Sequence, residues 1–282
     1  MALEFEARWI ADRCAAALLC LWVAAAPRPA LAEAELRLMP GDTALEQQLG
    51  RYLTDSQIVT DLVTLMSENF TLEQPLGIIV GSRSDKLGVP SYSTKDKSIR
   101  LPYAYIESAI RAQAELVVGR SPDETAEAGQ AVKRAMDMVE YTLYHLFAKA
   151  LIDDENANAD ADADGMAEAV ASWVMISAWP DGAAQWVEDV QAFSDASQRL
   201  DGSLDEYWHA HSLYRLREQT LLCWALGAGG KAVEQALRVV TEPAERRERC
   251  RLSWAQLDQQ MRQLLDPVLK PDAKLRAADQ DD

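Results

Sequence analysis

Apolar residues recurring at three- and four-residue intervals run through most of this chain, and that periodicity leaves room for little besides helices. In "DSQIVTDLVTLMSENF" Ile58, Leu62, Leu65 and Met66 fall on one face, and "TALEQQLGRYL" before it repeats the pattern. From Tyr103 onward the same spacing predicts helices over about 104–118, 123–152, 163–179, 182–193, 204–226, 230–240 and 251–266. Two short β-branched runs interrupt this: "QPLGIIVGS" and "KDKSIRLPY", the second closed by Pro102 after Leu101. Both read as strands, expected to pair in a small antiparallel sheet and joined by the Gly- and Ser-containing "GSRSDKLGVPSYST". The expected class is therefore α+β and mainly helical, with a small antiparallel sheet and a helical C-terminal part. No fixed-period repeat occurs, and the stretch 271–282 lacks apolar periodicity and reads as a disordered tail.

The first 32 residues read as an export signal rather than as fold. Arg8 and Arg13 supply a basic start, "CAAALLCLWVAAA" an apolar run, and Ala30 and Ala32 the small residues of a cleavage site. The apolar run falls short of the roughly 20 residues a bilayer-spanning helix needs, so no membrane insertion is expected after cleavage. The remaining stretch, 33–270, is about the size of one large domain. The leader carries three acidic residues (Glu4, Glu6, Asp12) and three basic ones (Arg8, Arg13, Arg28), so the formal charge of −17 belongs to the mature chain. Such a surface repels nucleic-acid backbones and anionic lipid, which disfavours both as partners. Two of the four cysteines also leave with the leader, making Cys223 and Cys250 the only thiols in a periplasmic or extracellular, oxidising compartment. One disulfide is the economical reading; two free buried thiols is the rival.

The most informative stretch is "EYTLYHLFAKALIDDENANADADADGMAEA", residues 140–169. A zinc hydrolase of the His-Glu-x-x-His type sets two imidazoles one helical turn apart on one metal, while the intervening Glu takes a proton from the metal-bound water. Here His145 stands at the first ligand position, Leu146 at the base and Lys149 at the second ligand. An ammonium repels a divalent cation and leucine accepts no proton. By itself, a single histidine on an amphipathic helix is more often a hydrogen-bonded core residue than a ligand.

With these positions in view the chain resembles a bacterial family of metallopeptidases, zincin-like and otherwise described only as a domain of unknown function. Its members pair a His-Glu-x-x-His helix with a downstream acidic helix. "KSIRLPYAYIES" looks like the family's strand leading into a Pro-Tyr helix, and "YHLFAKALID" like its metal-binding helix. "HSLYRLREQTLLCWALG" and "EPAERRERCRLSWAQL" look like its His-Ser-Leu and Glu-Arg-x-x-Arg-Cys segments, so the likeness covers most of 75–270. The resemblance implies a zincin-like fold. It matches His145 to the first histidine, Asp160 to the third ligand and Asp164 to that ligand's hydrogen-bonded neighbour. It places His211 near the site, and supports a Cys223–Cys250 bridge because both cysteines fall in matching segments. Leu146 and Lys149 depart from the pattern, leaving a degenerate signature in which neither position can act catalytically.

A zinc site could persist only from a substituted set, His145, Asp160 and His211, since three ligands suffice for a catalytic zinc. His209 and His211 point about 200° apart on a helix and would converge on one ion only in an extended or turned segment. Asp160, Asp162, Asp164 and Gly165 also fit the start of a calcium loop, with Glu168 at its ninth position, but Ala171 stands where a bidentate Glu belongs. No phosphate loop or nucleophile elbow is present. Trp173, Trp179, Trp186 and Trp224 sit at helical positions and read as core rather than as a binding platform. The expected function is that of an exported pseudoenzyme acting on an unknown protein or peptide partner by binding or scaffolding, with no cofactor; the alternative is an active zinc metallopeptidase with the substituted ligands. In the inactive form, Lys149 is expected to pair with Asp160 or Asp164 in the place of a metal.

Overall fold

A computed structural model describes residues 34–81, 88–117, 124–154, 163–179, 219–229 and 244–277. The chain divides into two units, Met1–Ala32 and Glu33–Asp282, and the described residues all belong to the second. The expected leader, and the helices expected over 182–193 and 230–240, lie outside the described residues.

The elements run β1 (Ala34–Leu38), α1 (Ala44–Asp55), α2 (Ile58–Asn69), β2 (Leu76–Val80), β3 (Ser91–Ser93), β4 (Ser98–Leu101), α3 (Tyr103–Val117), α4 (Glu124–Asp154), α5 (Ala163–Ala178), α6 (Gln219–Ala228), α7 (Ala244–Leu265) and α8 (Lys274–Ala277). The mainly helical α+β class holds. The sheet, however, is mixed: its order is β1-β2-β4-β3, with β1, β2 and β4 parallel and only β3 antiparallel, to β4. The two runs read as an antiparallel pair are thus parallel neighbours, Ile78 opposite Ile99 and Val80 opposite Leu101. Parallel pairing needs a crossover, which the segment containing β3 provides. Ile78, Val80, Ile99 and Leu101 share one face of the sheet and are all fully buried, while Gly77, Ile79 and Arg100 on the other face are half-buried.

Local chemistry sets the helix starts. Thr43 caps α1 and completes a capping box: its Oγ1 accepts from the Glu46 N–H at 3.1 Å, while the Glu46 carboxylate accepts from the Thr43 N–H at 3.0 Å. At the end of β2 the chain turns at Gly81 with φ of +84°, directly against the Tyr103 ring. A side chain there would be both strained and obstructed. The Tyr103 hydroxyl in turn donates to the Met39 carbonyl at 2.8 Å, tying the start of α3 to the end of β1.

The long helix α4 is the axis of the core. On one side Thr142 shares a 2.6 Å hydrogen bond with the Tyr105 hydroxyl of α3. On another, Phe147 meets Phe70 edge to face at 5.2 Å. At its C-terminal end Asp153 accepts from Tyr92 at 2.7 Å and from Lys97 at 2.8 Å, anchoring the β3–β4 hairpin. Burial would raise the Asp153 carboxyl, but the hydrogen bonds from Lys97 and Tyr92 and the Lys97 charge together hold it below the usual carboxylate range.

The described helices of the C-terminal part are α6, α7 and the short α8. Cys223 of α6 is bridged to Cys250 of α7 with Cα atoms 4.7 Å apart, so the disulfide reading is correct and the free-thiol rival falls. Trp173 of α5 donates to Asp258 of α7 at 2.7 Å, and Arg262 holds the other oxygen of that carboxylate at 2.8 Å. The tail expectation gives way over 271–277. Leu275 is buried, its N–H donates to the buried Asn69 side chain at 3.0 Å, and Lys274 pairs with Glu68 at 2.7 Å. A single buried leucine is too little apolar signal for periodicity to register, yet enough to seat a short helix when Asn69 is waiting. Among the described residues no helix is long and apolar enough to cross a membrane.

Candidate functional site

Residues 141, 145 and 149 stand one turn apart on α4, and the helix runs unbroken through all three. The structure thus gives the degenerate motif the helical frame its spacing called for. His145 and Leu146 are each 1 % exposed, while Lys149 is partly buried. Position 146 faces packed core: the neighbouring Phe147 and Leu143 are likewise buried, and a leucine there fills apolar space.

The helix packed beside this one, α5, carries the acidic part of the site. It starts at Ala163, so Asp164, Glu168 and Ala171 are helical. The calcium reading gains no support from this, because Ala171 offers no side-chain oxygen where such a loop has its bidentate Glu. Asp160, Asp162, His209 and His211 lie outside the described residues, as does the side chain of Asp164; the expected pair from Lys149 to Asp160 or Asp164 therefore lies outside them too. The carboxylate that periodicity undervalued is Glu168, 1 % exposed among buried Ala167, Val170, Ala171 and Ser172. Its signal was available: Glu168, Ala171, Ser172 and Met175 share one helical face, so a carboxylate at 168 is aligned with core positions rather than solvent.

The fit to zinc can be tested on the donors themselves. Hydrolytic zinc of this type takes three protein ligands, a water and a general base. On the α4 face only His145 can donate to a metal, Leu146 has no proton-accepting atom, and Lys149 brings a positive charge. Among the described residues no group of three or more His, Cys, Asp or Glu side chains converges. The α4 face by itself does not fit a catalytic zinc.

A second polar cluster, on a different face of α4, carries no sequence signature. Glu140 is partly buried, and burial with the charge of Asp61 from α2 pushes its carboxyl up to about 7. Tyr144, 1 % exposed, has its hydroxyl raised by burial and by the charges of Glu140 and Asp61. The Tyr144 ring meets Trp179 edge to face at 5.7 Å. Of the tryptophans read as core, Trp173 and Trp224 are buried and Trp186 lies outside the described residues. Trp179 is instead 38 % exposed, because α5 ends just before it.

No curated protein and no solved structure matches the chain. The family described as "Putative metallopeptidase" matches residues 39–265. That span takes in β2, β3 and β4, the α4 motif, the buried Glu168 and both cysteines of the disulfide. By that match over most of its length, the chain belongs to this metallopeptidase family.

Proposed function

We propose that this family member is exported, does not hydrolyse peptides, and acts by binding or scaffolding a protein or peptide partner. The observation that carries the reading is the burial of Leu146 in apolar core at the general-base position, with Lys149 one turn from His145. A missing base removes proton transfer, typically worth a factor of about 10² to 10⁴ in rate, and a missing imidazole removes metal affinity as well. The two losses reinforce each other. Export is supported by the basic, apolar and small-residue order of the first 32 residues, and by a disulfide, which persists in oxidising compartments.

The alternative, an active zinc enzyme with His145, Asp160 and His211 as ligands, draws on one observation: a histidine and a carboxylate, His145 and Glu168, are both kept buried on adjacent helices. Metal analysis of mature protein, purified without chelators or a histidine tag, separates the two readings. The expected outcome is substoichiometric zinc and no cleavage of an unstructured peptide library with zinc added. Tightly bound stoichiometric zinc that disappears in His145→Ala would sink the non-hydrolytic reading.

A further inference from the structure

β1 is an outer strand of the sheet, and among the described residues no strand pairs with its far edge. Pairing with β2 fixes which backbone groups that edge presents. Along a strand, successive residues turn their N–H and C=O groups alternately to one neighbour and to the other. The Met39 N–H donates to the Val80 carbonyl at 2.9 Å, so Glu35 and Arg37 also bond to β2, while Ala34, Leu36 and Leu38 turn theirs to the open edge. Sheet edges are commonly blunted by shortness, by proline or by an inward-pointing charge. The opposite edge strand, β3, has only three residues. β1 has five and no proline, and its charges, Glu35 and Arg37, stand on the face away from buried Ile78 and Val80, each side chain 62 % exposed.

Those charges also select an occupant. Laid antiparallel against itself, "AELRL" is self-complementary: with Leu36 opposite Leu36 of a second copy, Glu35 stands opposite Arg37 and Ala34 opposite Leu38. In that register the open-edge groups of Ala34, Leu36 and Leu38 all meet as hydrogen-bonded pairs. Glu35 and Arg37 fall at the positions between, where facing side chains lie closest. Arg37 already reaches Glu35 of its own strand at 2.8 Å, so across the axis the four charges alternate in sign. Sliding the strands by two residues either way keeps the backbone bonds in phase but sets Glu35 opposite Glu35 or Arg37 opposite Arg37, which like-charge repulsion disfavours. Leu38, 37 % exposed at the end of the strand, would be covered by Ala34 of the second copy. A foreign strand would need this pattern by coincidence, whereas a second copy has it by identity.

We propose that two copies of this chain pair antiparallel through β1, about a two-fold axis at Leu36, joining two four-stranded sheets into one. The formal charge of −17 opposes their approach at long range, and salt at about 0.15 M screens it, leaving the short-range pairs to decide. This pairing uses no residue of the degenerate motif and stands whether or not that motif is inactive.

The test is sedimentation equilibrium of protein expressed from the full chain, over about 1 to 200 μM at about 0.15 M salt, a range that brackets the micromolar affinity of a small interface. The wild-type mass is expected to rise from monomer towards dimer with concentration. Arg37→Glu and Glu35→Arg each set like charges across the axis and should each weaken self-association about tenfold, with circular dichroism unchanged because both side chains are exposed. An equimolar mixture of the two variants, in which every cross-strand pair is again opposite in sign, should recover the dimer. Because Glu35→Arg makes the chain less negative, association governed by net charge alone would strengthen in that variant instead. A wild type that stays monomeric throughout, single variants that dimerise as the wild type does, or a mixture that stays monomeric would overturn the proposal.

Discussion

Replacing Cys223 and Cys250 together by alanine is expected to lower the free energy of unfolding by about 3–4 kcal/mol, from the loop-closure entropy that a bridge across 27 residues removes from the unfolded chain. The same crossing supplies a sharper local test. Gly227 sits one turn beyond Cys223 on α6, and a methyl group there would land on the Cys250 carbonyl and within 2.7 Å of the Trp254 Cβ. The bridge holds the two helix backbones close, and glycine is the side chain that permits it. Gly227→Ala is expected to cost about 2–4 kcal/mol by forcing the helices apart. Urea unfolding of oxidised protein checks both: midpoints within error of wild type would show that α6 and α7 do not cross as described.

Glu140 gives the second large effect, and its sign depends on pH. The carboxyl ordinarily titrates at 4.5 and in the fold is pushed up to about 7, by burial first and by Asp61 second. Between those values the folded protein holds a proton that the unfolded chain has released, so stability falls as pH rises through the window and the loss is complete above it. The full shift corresponds to about 3 kcal/mol, and partial exposure of the side chain reduces this to about 2 kcal/mol. Glu140→Gln never ionises. At pH 8 the variant should therefore be more stable than wild type by about 2 kcal/mol, and at pH 5 the two should nearly coincide. An equal difference at both pH values would mean that the substitution acts through packing rather than charge.

Features that repeat locally read plainly along the chain. Ile58, Leu62, Leu65 and Met66 mark α2 because their side chains meet one core at a fixed angular step. The run Ile78 to Val80 marks a strand because β-branched residues suit a pleated, half-buried surface. The motif positions His145, Leu146 and Lys149 are also local, since one helical turn fixes their relation whatever surrounds them. By contrast β3, the polar Ser91–Ser93, carries no alternation, and the first turns of α7 pass through "AERRERC", where charge hides the apolar face. Both acquire structure from what they pack against rather than from their own pattern.

The sequence by itself determined the helical class and the one-turn spacing of His145 and Lys149, because both follow from a local angular step. Only the tertiary structure decided that β2 and β4 run parallel, that Cys223 is bridged to Cys250, that Leu275 docks on Asn69, that Tyr144 meets Trp179, and that Glu140 comes under the charge of Asp61. Asp61, Glu140, Tyr144 and Trp179 come from three helical segments with no shared period. Their meeting is fixed by how α2, α4 and α5 cross, and helix crossing is set by the packing of whole side-chain ridges that no single stretch of sequence contains.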